Sequence, residues 1–178
     1  DPPPAGALAE AKALLTELGA IDPQGRITDE GRRLRRLPLP PRLARMVVDA
    51  AAEGAGTRAA DIAAILSERG LGGDDVDLTH RLDQFRRDRS RRGEDARRMA
   101  KRWAEQAGSG SDRSDASVGA ILALAYPDRI AQGRGKSGEF RAENETERDE
   151  ESRCDRNTDD VIEQREEQIL FDFSDIKG

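Results

Sequence analysis

Few side chains with intrinsic reactivity occur in this sequence. Its 178 residues contain one histidine, His80, and one cysteine, Cys154. A lone cysteine excludes an internal disulfide and any multi-cysteine metal site, and a lone histidine excludes a two-histidine zinc site. A Ser/His or Cys/His nucleophilic pair would have to use His80. That residue lies beside Leu82 on a predicted helix and reads as a surface or helix-packing histidine. Cys154 stands between Arg153 and Arg156 within a run of acids. Arginines lower a thiol pKa and acids oppose them, so no chemistry is assigned to it. Gly135-Lys136-Ser137 spells the end of a phosphate-binding loop, yet the position five residues before Gly135 is Ile130, not glycine. Neither the preceding strand nor the following apolar helix that would aim N–H groups at phosphate is present. Asp149-Glu150-Glu151-Ser152 imitates an acidic metal-binding box, but it sits in a charge run with no apolar strand before it. Asn144-Glu145-Thr146 is a glycosylation sequon in spelling only, because nothing directs the chain to secretion. No catalytic residue, metal ligand or cofactor-binding residue is assigned.

The feature with chemical content is a basic stretch. From Arg81 to Arg102 there are ten Lys or Arg against four acids, a net charge of +6 over 22 residues. Such a segment can track a phosphate backbone by counterion release. A solvated helix face explains it equally well: Asp83 with Arg87, Asp88 with Arg92 and Glu94 with Arg98 are acid-first i,i+4 pairs. Those pairs would occupy three arginines and leave Arg86, Arg89, Arg91 and Arg97 freer. Of the aromatic platforms that single strands stack on, only Phe85 and Trp103 are near, and both fit a core better.

The elements that must carry this segment are helical. Charged residues make up 37% of the chain and aromatics 3%, which suits small helical units with thin cores. Helical spacing predicts a first helix over residues 7–18, with Leu8, Ala11, Leu15 and Leu18 inward and Gly19 as its stop. Pro23 and Gly25 suit a tight reversal between Ile21 and Ile27. Thr28 is placed to N-cap a helix running to about Arg36, and Pro41 to open the next. Thr57 is expected to cap a helix that buries Ile62, Ile65 and Leu66, and Asp77 one that buries Leu78, Leu82 and Phe85. A further helix is expected over 94–107 with Met99 and Trp103 inward, and a short apolar one over 118–126. Strand or coil is expected near Glu139-Phe140-Arg141, and a weak amphipathic helix over 160–173. Gly108 to Asp115 reads as a flexible linker. From Ser137 to Gly178 the chain carries 15 acids and 6 bases, net −9, against net +3 for the remainder, so the end reads as an acidic, disordered tail. The fold class is therefore mainly α: a small winged-helix unit, then a helical bundle, then the tail.

Longer patterns carry a resemblance. Leu14-Leu15-Thr16-Glu17-Leu18-Gly19-Ala20-Ile21-Asp22, Gly25-Arg26-Ile27-Thr28, Gly31-Arg32 and Leu37-Pro38-Leu39-Pro40-Pro41-Arg42-Leu43-Ala44-Arg45-Met46 resemble the region after the motor core in DEAH-box and RHA-type helicases. Ala63-Ala64-Ile65-Leu66-Ser67-Glu68-Arg69 and Ala125-Tyr126-Pro127-Asp128-Arg129-Ile130-Ala131 narrow it to the bacterial HrpB-type ATP-dependent helicases. The resemblance covers about residues 5–141. It implies a winged-helix domain over 5–53, a helical-bundle or ratchet-like domain over 57–107, a linker over 108–115 and the start of an HrpB-type C-terminal region over 116–141. Residues 142–178 depart from the family: Ala142-Glu143-Asn144-Glu145 begins the acidic tail where the family continues with an apolar, glycine-containing stretch. The sequence opens in mid-protein character, without an initiator methionine, as expected of a fragment, a fusion or a decayed gene.

In such helicases two RecA-like domains hydrolyse ATP and step along single-stranded nucleic acid, generally RNA. The resemblance thus implies an accessory portion that guides single-stranded RNA or DNA and packs on RecA-like domains. ATP and magnesium are implied only for those motor domains, and no enzymatic activity is expected of this chain alone. Arg86, Arg89, Arg91 and Arg97 are then the expected backbone contacts, and Arg42 a structural residue bonding carbonyls at a helix end. Two other readings stay open: a stand-alone winged-helix protein using Asp29–Arg36 on duplex DNA, and a scaffold whose acidic tail docks on a partner or masks the basic stretch. With no membrane-length apolar run, a cytoplasmic location is expected.

Overall fold

The computed structural model describes residues 3–110, 112–133, 140–142 and 169–171. Gly135-Lys136-Ser137, the sequon, the acidic box, Cys154 and nearly all of the acidic tail lie outside them. The described chain is mainly helical and divides into two units, Asp1–Ala125 and Tyr126–Gly178.

The first unit begins with α1 (Ala5–Glu17), α2 (Asp29–Leu34) and α3 (Pro41–Ala52). Gly19 adopts φ +65° after α1, the left-handed stop that glycine tolerates. The reversal that follows is closed by an antiparallel bridge between Ile21 and Ile27. Asp22 holds it by accepting from the backbone N–H groups of Gln24 and Arg26 and from Arg26 Nε. Thr28 caps α2 by accepting from Gly31 N at 3.0 Å, and its hydroxyl donates to the Gly19 carbonyl at 2.6 Å. Pro41 occupies the first turn of α3, where a missing N–H costs nothing.

The centre of the unit is α4 (Gly56–Ser67). Its buried residues are Gly56, Ala59, Ala60, Ile62, Ala63, Ala64 and Ile65. Such small side chains let α3 and α6 (Arg91–Gln106) approach it closely, with α5 (Leu78–Arg87) on a further side. The large core residues are Met46, Ile62, Ile65, Leu82, Phe85 and Ile121. The last of these comes from α7 (Val118–Ala125), which packs on α3.

Several sequence expectations are corrected here. Thr57 does not cap α4. The helix starts one residue earlier, and its free N–H groups at Thr57 and Arg58 donate to Asp112, at 2.8 and 2.9 Å. The segment read as a flexible linker is therefore tied down, and the N–H groups of Arg113 and Ser114 add bonds to the Gly54 carbonyl. Helix α6 starts at Arg91, three residues earlier than expected, because Ser90 supplies its cap by accepting from Gly93 N. The apolar stripe expected of the first helix is inward only toward its end: Leu18, just after α1, is buried and Leu15 half-buried, whereas Ala11 is exposed and Leu8 is 43% exposed.

The second unit contains a 3-10 turn (Pro127–Arg129) and three short strands, β1 (Ile130–Gly133), β2 (Phe140–Ala142) and β3 (Ile169–Phe171). Both outer strands pair antiparallel with β1, in the order β2-β1-β3. The expected strand near Phe140 is present. Of the helix expected over 160–173, the three described residues form a strand instead: Ile130, Ala131 and Gln132 supply the pairing edge for Phe171, Leu170 and Ile169. Among the described residues no helix is long and apolar enough to cross a membrane.

Of the described glycines, Gly31 has the least room for a side chain. A Cβ there would collide with the Ala20 carbonyl and crowd the Ile27 side chain. Backbone cannot yield as a flexible side chain does. Gly31→Ala is expected to destabilise the protein by about 2 kcal/mol or more. Denaturant unfolding monitored by circular dichroism checks this, and an unchanged midpoint would show that the α2 packing is looser than described.

Candidate nucleic-acid interface

The basic stretch spans most of α5, the connection Asp88-Arg89-Ser90 and most of α6. Helix α5 is capped by Asp77, which accepts from Thr79 N at 2.7 Å. Asp88 and Ser90 shape the connection: Asp88 accepts from the backbone and hydroxyl of Ser90, and Ser90 then caps α6. The apolar side of α6, Ala96, Ala100, Trp103 and Ala104, faces the core, so its charges emerge on the opposite side.

The structure separates the four candidate arginines into two kinds. Arg89, in the connection, and Arg91, in the first turn of α6, are exposed and have no ion pair among the described residues. Arg97 is half-buried. Its Nη1 donates to the Phe85 carbonyl at the end of α5, and its guanidinium lies 5.8 Å from the centre of the Phe85 ring. That is a helix-joining role, which its sequence position between Ala96 and Arg98 did not disclose. Arg86 has an intermediate position: its Nε donates to Asp61 of α4 at 3.1 Å, and its side chain is still 39% exposed.

The expected i,i+4 pairs are mostly replaced. Only Asp83 with Arg87 is close, at 4.0 Å. Arg92 leaves Asp88 to bond the Arg69 carbonyl and pair with Glu68 across to the end of α4, at 2.7 and 3.5 Å. Arg98 pairs with Asp95, not Glu94. Asp88 is engaged by Ser90, and this is why it does not wait for Arg92. Sequence reasoning passed over Lys101 and Arg102 as contacts. Both are exposed near the end of α6 and unpaired among the described residues. Arg91 and Arg102 are eleven residues apart, three helical turns, and so share one side of α6. The available cations are thus Arg89, Arg91, Lys101 and Arg102. Arg91 also lines a cleft with Glu68, Arg92, Asp95, Ala96 and Met99.

The alternative duplex-binding element is less favourable. Helix α2 has six residues, and Arg32 and Arg33 are paired with Asp29 and Glu30 on the same helix. Arg42 donates to the Ala125 carbonyl at the end of α7 at 3.1 Å, the structural task expected of it. His80 is exposed and faces Asp75 at 3.3 Å. Among the described residues no group of three His, Cys, Asp or Glu is arranged to hold a metal ion.

Comparison with known proteins gives a consistent picture. The family described as helicase associated domain (HA2), winged-helix, matches residues 13–39. The ATP-dependent RNA helicase HrpB of Escherichia coli (strain K12) is 32% identical over 145 residues, 81% of this chain and 17% of that protein. Two crystal structures of the E. coli protein, described as a DExH-box NTPase and as a DEAH/RHA helicase, are similar to this chain with TM-scores of 0.61 and 0.58. Their identities are 31% and 32%, and each match covers 80% of this chain and 17% of the other. This chain therefore spans about one-sixth of the length of these relatives.

Asp61 is the one carboxyl of the site whose pKa is pushed up, chiefly by burial; Arg86 pulls it down less than burial raises it, and Asp112 adds to the rise. An aspartate raised on folding contributes stability at low pH that is lost as pH climbs from about 3.8 through the folded value. Asp22, Asp77 and Asp88 have the opposite sign, since backbone N–H groups of Arg26, Thr79 and Ser90 respectively lead in lowering them. Asp61→Asn, which never ionises, is expected to gain stability relative to the parent as pH rises from 4 to 7. Paired urea titrations at both pH values measure the difference, and a variant that instead loses ground toward pH 7 would contradict it.

Proposed function

We propose, from a chain homologous over four-fifths of its length to the HrpB-type helicases of the DEAH/RHA group, that it is the accessory part of such a helicase. In this reading it guides single-stranded RNA or DNA and packs against RecA-like motor domains. Binding and hydrolysis of ATP with magnesium belong to those domains, and the setting is the cytoplasm. The winged-helix part is α1 to α3 with its small Ile21–Ile27 wing, and the ratchet-like bundle is α4 to α6.

The observation that carries the nucleic-acid role is the set Arg89, Arg91, Lys101 and Arg102, which have no ion pair among the described residues. Each of these side chains is exposed, while the neighbouring arginines are spent on carbonyls or carboxylates. Cations without internal partners exchange counterions for phosphates at no cost in broken ion pairs. Arg89 and Arg91 keep their expected role as backbone contacts, and Arg97 is a positioning residue for α5. A second observation supports packing on motor domains. Helix α1 has apolar residues at helical spacing, and among the described residues its outer positions Leu8 and Ala11 stay exposed while Leu15 is half-buried. A stripe left open in this way is what a helix made to be covered by another domain presents.

Two measurements test the reading. In fluorescence anisotropy with labelled single-stranded RNA, the full chain is expected to bind at ~50 mM salt and weaken steeply as salt rises. Arg89→Ala with Arg91→Ala should flatten the log–log salt slope by about 1.4, the release expected from two phosphates of a single strand. An unchanged slope would remove these two residues from the interface, and a preference for one duplex DNA sequence would favour the stand-alone winged-helix reading. Leu8→Asp should leave folding stability within about 0.5 kcal/mol, as for an exposed site. It should also weaken capture of this chain by separately supplied RecA-like domains of an HrpB helicase.

A further inference from the structure

The pair Asp61–Arg86 has no place in the roles given above. Asp61 projects from α4 with its side chain only 13% exposed, whereas Arg86 on α5 is 39% exposed and lies within the basic stretch. One guanidinium N–H, Nε, is committed to the carboxylate. The charged groups acting on Asp61 are Arg86 from α5, Arg97 from α6 and Asp112, which caps α4 itself. Arg97 is fixed by the Phe85 carbonyl and ring. Arg86 has no second anchor among the described residues, so it is the one member of the group able to leave.

We infer that Asp61 is an internal competitor for phosphate: it holds Arg86 back from the nucleic-acid face, and a bound strand has to displace it to recruit that arginine. The inference rests on the nucleic-acid reading above. Its physical basis is the unequal burial of the two partners. A guanidinium moving from Asp61 to a phosphate exchanges one charge-assisted bond for another. The carboxylate left behind stays partly desolvated, with only Arg97 to offset it, and that residue cannot follow because it is bonded elsewhere. Recruitment of Arg86 thus carries a penalty that Arg89 and Arg91 do not meet. Asp61 thereby lowers affinity without touching the strand. Such a restraint favours release, which a device that moves along a strand requires at every step.

The test uses the full chain and single-stranded RNA as the probe, with parent, Asp61→Asn, Arg86→Ala and the double variant measured across a salt series. Asn keeps the shape and removes the charge. Asp61→Asn is expected to bind about two- to fivefold more tightly at low salt, a modest gain because the arginine end of the pair is open to solvent even though the carboxylate is not. Its salt slope should steepen by about 0.7, the increment for one more phosphate contact. In the Arg86→Ala background the same Asn substitution should change neither quantity, because no arginine remains to be freed. Equal affinity and slope for parent and Asp61→Asn would overturn the inference while leaving the RNA-binding reading intact. Tighter binding that persists in the Arg86→Ala background would overturn it as well, since a general gain in positive charge would then be the cause. Parent protein that binds no RNA at ~50 mM salt would overturn the nucleic-acid reading and this inference with it. Thermal melts of all four proteins identify any change that comes from unfolding.

Discussion

Arginine side chains bonded to the carbonyl ends of neighbouring segments hold this helical unit together, and most of its other properties follow from that. Alanine-rich contacts bring the helices close but bury little area per residue, and aromatics are only 3% of the chain. Arg42 reaches the last carbonyl of α7, Arg45 that of Leu18 after α1, Arg81 that of Ile65 in α4, and Arg97 that of Phe85 in α5. Helix C-termini present carbonyls without intrahelical partners and the negative end of the helix dipole. A guanidinium satisfies both needs at once, and its stem covers apolar surface on the way. Arg58 and Arg92 do the same for loop carbonyls at Ala116 and Arg69.

This use of arginine explains which parts of the structure were legible in the sequence. Local rules worked where a residue serves its own neighbourhood: Thr28 and Asp77 as caps, Pro41 at the start of α3, Gly19 as a stop, Gly25 within the reversal. They failed where the partner is remote in sequence. Asp112 lies 54 and 55 residues from the two N–H groups that it caps. Nothing in Gly108 to Asp115 marks one aspartate of a glycine-serine stretch as the N-terminal cap of α4. The i,i+4 pairs failed for the same reason. Arg92 had a local acid, but the Arg69 carbonyl in the loop after α4 and Glu68 outcompete it.

The candidate site shows the same division. Arg89 and Arg91 could be picked out by counting local acids, because no long-range partner among the described residues claims them. Arg97 and Arg86 could not be sorted that way, since their partners, Phe85 and Asp61, are defined only once α4, α5 and α6 have packed. Lys101 and Arg102 were missed for the opposite reason: at the end of the helix, beside Trp103, they read as its ordinary solvated flank. The resemblance to helicases supplied an expected domain order, and packing supplied the assignment of charges. Neither follows from the net +6 of the segment.

A segment's net charge therefore overstates what it can offer a polyanion. Of the ten cations between Arg81 and Arg102, Arg81, Arg92 and Arg97 are tied to carbonyls, and Arg86, Arg87 and Arg98 face carboxylates. The first three cannot turn to a phosphate without releasing a helix end or loop. The second three can, at a cost set by how buried the abandoned carboxylate is. For Arg87 and Arg98 the acid is well exposed and water replaces the arginine; for Arg86 the acid is Asp61, and water reaches it poorly. Burial of the counter-charge, more than the number of arginines, sets how readily each cation becomes available. On that scale the segment is graded, from free Arg89 and Arg91 through screened Arg87 and Arg98 to restrained Arg86. On the proposed reading, a graded surface of this kind would hold a strand through its free cations and draw on the restrained one only when the strand is seated close to α5.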